Sequence, residues 1–570
     1  MISFSEEPKV AEQQMHAVIF YLTAFGYIDG DFDRDEKAFI QDYIAALVRE
    51  RATNSMRGED QNVLNDVVAR WTEHFHEVLD EVDASIKQNF DEPVADGEDQ
   101  KQFVVAKLKL RCYELFKKFD DENRASLLNA AEKLIAADGV VHPSEAKFRA
   151  EIAALLDAPL ELDDEEVQLV EEGAVLVGAI KQPAQKQDNH PFFQRFEFNY
   201  GSDSETVTKQ AEDDLALIRR TMAKLDEQRA KGQGKLSGAQ DISEFAGQDP
   251  FFDGHVYVCP PKPGKAYELL VLGDLHGCYS CLKGALLQAD FFGKVQAFHD
   301  DPVKNPNMLL VLLGDYIDRG KFSYNGILRT VMQLFLTVPD HVYMLRGNHE
   351  YYVQLNGRVY GGVKPAEAIN SLKDLAPEAV FEQYMHFFEA LPNMLLFDRM
   401  LFVHAGIPRD DTIAQKWFDL SSLNDPDIRF QMLWSDPSEA ESIPLDLQKA
   451  NARFPFGRRQ FKSFMSRIGA TTMIRGHERV IEGFKKVYDS DDARLFNLFS
   501  AGGKTNNDLP ASSNYREVTP MALTIKVEDG VTQMNPFVID YAKYNDPQYN
   551  AFFKLRDDLN VRARASDAAR

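Results

Sequence analysis

The sequence predicts a multidomain chain in which an all-α region is followed by an α/β domain. Over residues 1–180 apolar side chains recur at helical spacing, Glu, Lys and Ala are frequent, and β-branched runs are few. Beyond residue 250 the apolar runs become short, continuous and rich in β-formers, with helical stretches between them. Each of those runs ends in a polar turn, which is where α/β layers place ligand sites.

The helical periodicity is plain in Ala38, Phe39 and Ile40, then Tyr43 and Ile44, then Leu47 and Val48. Two segments of this region are alike. Phe25-Gly26-Tyr27-Ile28-Asp29-Gly30 is followed by Glu36 and Phe39, and Ile135-Ala136-Ala137-Asp138-Gly139 by Glu145 and Phe148. The Asp-to-Glu and Asp-to-Phe spacings are the same in both copies. Each copy reads as a helix ending at Asp-Gly, a tight turn, and a new helix capped by Asp33 or Ser144. The acidic run Asp29, Asp31, Asp33 and Asp35 is not an EF-hand. Arg34 and Ile40 stand where that loop needs Gly and Glu. A solvated acidic loop is the expected reading. The paired segments resemble helical domains of the tellurite-resistance TerB type, which implies a helical region with two similar halves and leaves cation binding open.

Residues 181–250 read as a connector. It opens polar at Lys181–His190, carries one helix from Thr206 to about Arg229, and breaks at Lys231-Gly-Gln-Gly-Lys235. Residues 251–540 form the second domain, and 541–570 a C-terminal tail. The predicted buried strands are 269–272, 309–313, 342–345 and 401–403.

Composition narrows the class. Hydrophobic residues make up 44% and charged residues 27% of 570, a profile of globular domains with ample cores. The formal net charge of −26 disfavours nucleic acid and anionic membrane as partners, since both bind through Lys and Arg. No apolar run approaches the ~18 residues of a membrane span, and the N-terminus lacks the order of a signal peptide. Four cysteines argue against a disulfide framework and for a reducing cytoplasm.

Five motifs follow one another at strand ends. They are Gly273-Asp274-Leu275-His276-Gly277, Gly314-Asp315-Tyr316-Ile317-Asp318-Arg319-Gly320, Gly347-Asn348-His349-Glu350, His404-Ala405-Gly406 and Arg475-Gly476-His477-Glu478. A lone Gly-Asp is ordinarily a turn, and a lone buried His a core residue. Together the five supply carboxylate, amide and imidazole donors in the mix that suits two borderline divalent cations. Such a pair neutralises phosphate oxygens and activates water.

In order and spacing the first three motifs resemble the phosphoprotein phosphatases, as do Leu433-Trp434-Ser435-Asp436-Pro437 and Asn451-Ala452-Arg453-Phe454-Pro455-Phe456-Gly457. The resemblance covers residues 269–537. It implies a β-sandwich flanked by helices in four αββα layers, and phosphomonoester hydrolysis by a hydroxide bridging two metals, on phosphoserine or phosphothreonine in proteins. It assigns Asp274 and His276 to one metal, Asn348, His404 and His477 to the other, and Asp315 to both. Arg319 and Arg453 match the phosphate clamps, with Asn348 beside them. His349 matches the general acid and Asp318 the carboxylate that orients it. Manganese suits the ligand set, and iron or zinc is compatible with it.

The sequence departs from eukaryotic members at Ser500-Ala501-Gly502-Gly503, where a tyrosine usually follows, and Tyr515 is the candidate replacement. His404 is followed by Ala-Gly, as in bacterial relatives. Cys278 and Cys281 beside the first motif read as helix residues facing the core, with a redox switch as the sharper alternative. Two other functions stay open: a hydrolase of dinucleoside polyphosphates or other small phosphoesters, and a catalytically silent phosphoprotein scaffold. The helical region is expected to dock a protein partner, regulate the phosphatase or mediate assembly.

Overall fold

The computed structural model describes residues 2–554 apart from 29–31, 57–59, 96–97, 136–142, 158–173, 184–186, 198–203, 356–357 and a few single positions. The Asp29-to-Asp31 part of the acidic loop, Asp138, Gly139 and the tail beyond 554 lie outside the described residues. The chain divides into two compact units, one of Met1–Asp164 with Glu439–Pro455, the other of Glu165–Ser438 with Phe456–Arg570.

The first unit is helical: α1 (Pro8–Gly26), α2 (Arg34–Ser55), α3 (Gln61–Asn89), α4 (Gln100–Phe116), α5 (Asp121–Ile135) and α6 (Pro143–Asp157). Proline at the start of α1 costs no hydrogen bond, because the first N–H groups of a helix have no intrahelical partner. Asp33 caps α2 as expected, accepting the N–H groups of Asp35 and Glu36 at 2.8 Å while Glu36 accepts that of Asp33 at 3.0 Å. Ser144 is no cap: it lies inside α6, whose first residue is Pro143. Val18, Leu22 and Phe25 of α1 are buried among Ile40 and Ile44 of α2, Leu79 of α3, Val104 of α4 and Ile152 of α6. The later segment Glu439–Pro455 belongs to this unit. Its Ile443 and Leu447 pack on Tyr113, and Glu114 accepts the N–H of Glu439 at 3.3 Å.

The second unit holds two mixed sheets. The first contains β1 (Tyr267–Leu272), β2 (Asn307–Leu312) and β3 (Val342–Met344), all parallel, whose central residues are buried on both faces as the apolar runs predict. The second contains β4 (Met400–Val403) and β5 (Thr472–Arg475), also parallel to each other. β6 (Met521–Glu528) and β7 (Val531–Val538) extend the first sheet beside β1, both pairings antiparallel. Helices Phe291–Asp300 and Arg329–Thr337 pack on β2 and β3.

The strand before the connector was not expected. Ala174–Val177, inside the stretch read as helical, pairs in parallel with β7 at the edge of the first sheet. The connector helix α7 runs over Ser204–Gly232, longer at both ends than its apolar pattern predicts. Among the described residues no helix is long and apolar enough to cross a membrane.

Register positions the site. Leu272 pairs with Leu312 and Leu312 with Met344, so the loops leaving β1, β2 and β3 emerge side by side. Val403 pairs with Arg475, which brings the turns after β4 and β5 level in the same way. A bridge between Asp274 and Phe499 ties the first loop to the strand Ala493–Leu498 of the second sheet.

Candidate metal centre

The five strand-end loops converge. Asp274, His276, Asp315, Asp318, Asn348, His349, His404 and His477 are all buried. Asp315 stands in the middle. Its Oδ1 lies 3.4 Å from His404 Nε2, and its Oδ2 lies 3.5 Å from His276 Nε2 and 3.8 Å from His349 Nε2. Asp274 Oδ2 lies 3.7 Å from His276 Nε2. The Asn348 side-chain amide is 2.9 Å from His404 Nε2 and 3.3 Å from His477 Nδ1.

Backbone carbonyls choose the imidazole tautomers. His276 Nδ1 donates to Ile317 O and His404 Nδ1 to Leu313 O, both at 2.9 Å, which leaves each Nε2 as an acceptor facing Asp315. His349 Nδ1 donates to Asp318 Oδ2 at 2.6 Å, and Asp318 Oδ1 accepts the Ala368 N–H at 2.6 Å.

The backbone is strained at the same residues. His276, Asp315, Asp318, Arg319 and His477 all have positive φ, between 40° and 70°. Non-glycine residues seldom adopt that region, and it concentrates at functional sites. Two glycines allow the close approach of the loops. Gly314 sits at φ 101°, and a Cβ on Gly347 would fall 2.1 Å from Asp315 Oδ1.

Two residues to which the sequence reading gave no role hold these loops. Glu350, fully buried, accepts the N–H groups of Asp315, Tyr316, Ile317 and Gly347 at 2.8–3.3 Å. Buried Arg475 donates to Glu478 at 2.6 Å, Asp436 at 2.8 Å and Asn497 at 3.1 Å, fixing the turn of His477, whose N–H reaches Asp274 Oδ1 at 2.8 Å. Both stand in quoted motifs, so their signal was the motif itself.

The residues fit divalent cations. Burial pushes the Asp274 carboxyl up to about 7, and burial followed by the neighbouring Asp274 raises Asp315 well above the carboxylate range. Burial likewise holds His276 and His404 well below the usual imidazole value, hence neutral and able to ligate. Asp274 Oδ2 is buried with no hydrogen-bond partner among the described residues. Crowded buried carboxylates beside neutral imidazoles are what a bound cation compensates.

Arg319 follows Asp318 in the chain and lines the same cavity. Its Nη1 donates to Glu367 at 2.7 Å and to Pro365 O at 3.3 Å. Tyr515 stacks on Phe499 and meets the His276 ring edge-on at 5.2 Å. A cavity of about 560 Å³ opens beside Asp318 and Arg319, with Tyr324, Leu372, Val380 and Tyr384 in its lining. Arg453 belongs to the helical unit, where its Nη1 lies 3.4 Å from a Glu92 carboxylate. Cys278 precedes α8 (Tyr279–Gln288), which contains Cys281, and both thiols are buried.

A family model described as calcineurin-like phosphoesterase matches residues 267–480, the span from β1 to just beyond His477. Over that span the chain is similar to the calcineurin-like phosphoesterases. It is 25% identical over 259 residues to the "Probable serine/threonine-protein phosphatase" of Encephalitozoon cuniculi, covering 45% of this chain and 51% of that protein. It is 26% identical over 239 residues to human serine/threonine-protein phosphatase 5, covering 41% and 43% of the two chains. It is 26% identical over 183 residues to the Saccharomyces cerevisiae serine/threonine-protein phosphatase 4 catalytic subunit, covering 31% and 56%. The chain thus spans about half the length of the curated relatives it matches.

Proposed function

We propose that this chain hydrolyses phosphomonoesters with the help of two divalent cations, and that its substrates are phosphoserine or phosphothreonine residues of proteins. The supporting observation is the two-sided Asp315 carboxylate, with His276 and His349 at one oxygen and His404 at the other. Asp274 and His276 would hold one cation, and Asn348, His404 and His477 the other, with Asp315 shared between them. Bound cations supply Lewis acidity toward phosphate oxygens and a nucleophilic water at neutral pH. The donor set suits manganese, with iron or zinc compatible.

The chain's own residues do the rest. Arg319 presents a planar fork that binds two phosphate oxygens, exchanging Glu367 for substrate. Arg453 is the second clamp on the strength of its motif. His349 protonates the leaving alkoxide, a poor leaving group without a proton. Asp318 holds the His349 ring with Nε2 toward the centre. Tyr515 covers the His276 side of the site in place of the tyrosine absent after Ala501.

A protein substrate is favoured by the likeness to serine/threonine-protein phosphatases and by the Leu433–Pro437 stretch, whose Asp436 braces Arg475. The helical unit docks a protein partner or regulates turnover. Free cysteines, all four buried, accord with a reducing cytoplasm. The test uses full-length protein stripped by chelator and replenished with Mn²⁺. Phosphate release from phosphoserine and phosphothreonine peptides should require the metal and exceed release from dinucleoside polyphosphates. The reverse preference, or no release even from an aryl phosphate, would overturn the proposal.

A further inference from the structure

We infer that the helical unit carries a separate transition-metal site, built from Glu12 and His16 of α1 and His74 of α3, suited to Zn²⁺. Glu12 and His16 stand four residues apart, so they share one face of α1. α3 packs along that helix and brings His74 opposite them. One ligand atom from each of the three lies within 4.8 Å of the other two, and His74 Nε2 is 3.3 Å from Glu12 Oε1. Aromatic neighbours hold the rings: Trp71 meets His74 edge-on at 5.4 Å, and Phe75 meets His16 edge-on at 6.2 Å.

The plainer account is an ion pair between Glu12 and His74. Their side chains are 41% and 40% exposed, a setting in which such pairs contribute little. That account does not use His16, whose ring nitrogen lies within 4.8 Å of the other two ligand atoms. Two imidazoles and one carboxylate form the set that binds Zn²⁺ while leaving a position for water, and the half-open setting admits that water. Zn–N and Zn–O bonds of about 2.0–2.2 Å would draw the three ligand atoms closer than their present spacing. The site would cross-link α1 to α3. None of its residues belongs to the phosphoesterase centre, so the inference does not depend on the proposed activity.

The test counts zinc in full-length protein stripped with chelator, exposed to Zn²⁺ and desalted. Wild type should retain one equivalent more than the His16→Ala/His74→Ala variant, while both release phosphate from an aryl phosphate at the same rate with Mn²⁺. Glu12→Gln, which keeps side-chain volume, should lower Zn²⁺ affinity at least tenfold and serves if the double variant does not fold. Equal zinc content in wild type and variants would overturn the inference, whatever the phosphatase assay gives.

Discussion

Glu350 accepts the backbone N–H of Asp315 at 2.9 Å, and through that bond it shapes the loop that presents the central carboxylate. The same side chain takes three further N–H groups, so its removal would leave several buried donors without an acceptor. Glu350→Ala is expected to lower stability by about 3 kcal/mol or more, read by denaturant unfolding. Glu350→Gln should keep the fold but lower metal affinity about 10–100-fold, because outer partners orient the ligands.

His349→Asn should leave metal content intact and cut turnover on an alkyl phosphoester by about 10²–10⁴-fold. Its Nε2 is 3.8 Å from the nearer Asp315 oxygen, and Nδ1 is engaged by Asp318. Asp318→Asn should also slow turnover, because it weakens the acceptor that fixes the His349 ring through Nδ1, and a turnover equal to wild type would remove that orienting role. Unchanged turnover in His349→Asn would remove the acid role.

Arg453 and Glu92 pair at 3.4 Å within the helical unit. Glu92 also accepts from Lys107 at 2.5 Å, and the Arg453 side chain is only 7% exposed, so Glu92→Gln takes a charged partner from a buried guanidinium and should lower the unfolding midpoint measurably. Arg453→Ala should raise KM for phosphopeptides at least tenfold, as loss of a bidentate phosphate contact would. A KM equal to wild type would confine Arg453 to a structural part in the helical unit.

Lys283 and Glu197 form a buried ion pair that ties α8 to the connector, and Lys283 also donates to Tyr549 O at 2.5 Å. Burial lowers the Lys283 pKa although Glu197 opposes the shift. Glu197→Gln removes the carboxylate and leaves a buried ammonium uncompensated. It should cost about 3–5 kcal/mol in stability, with the metal content of folded protein unchanged.

Much of the site was legible because strand ends and ligand types coincide in the text: Asp274, Asp315, Asn348, His404 and His477 were readable from their motifs, and the structure gathers them. Glu350 was visible as a letter but not as a role. Its partners are backbone N–H groups up to 35 residues away, and no side-chain pattern records them. The strand Ala174–Val177 was missed because its four residues earn their conformation by pairing with Val531–Met534, far along the chain. The packing of the segment Glu439–Pro455 through Ile443 and Leu447 onto Tyr113 of α4 was hidden likewise. Ser144 looked like a cap because Ser favours that position, yet proline at 143 already starts the helix.

The most direct test of the central claim is anomalous diffraction from crystals replenished with Mn²⁺. The account predicts two peaks flanking the Asp315 carboxylate, about 3.5–4 Å apart, one beside Asp274 and His276 and the other beside His404 and His477. A single peak at that carboxylate, or none, would contradict it.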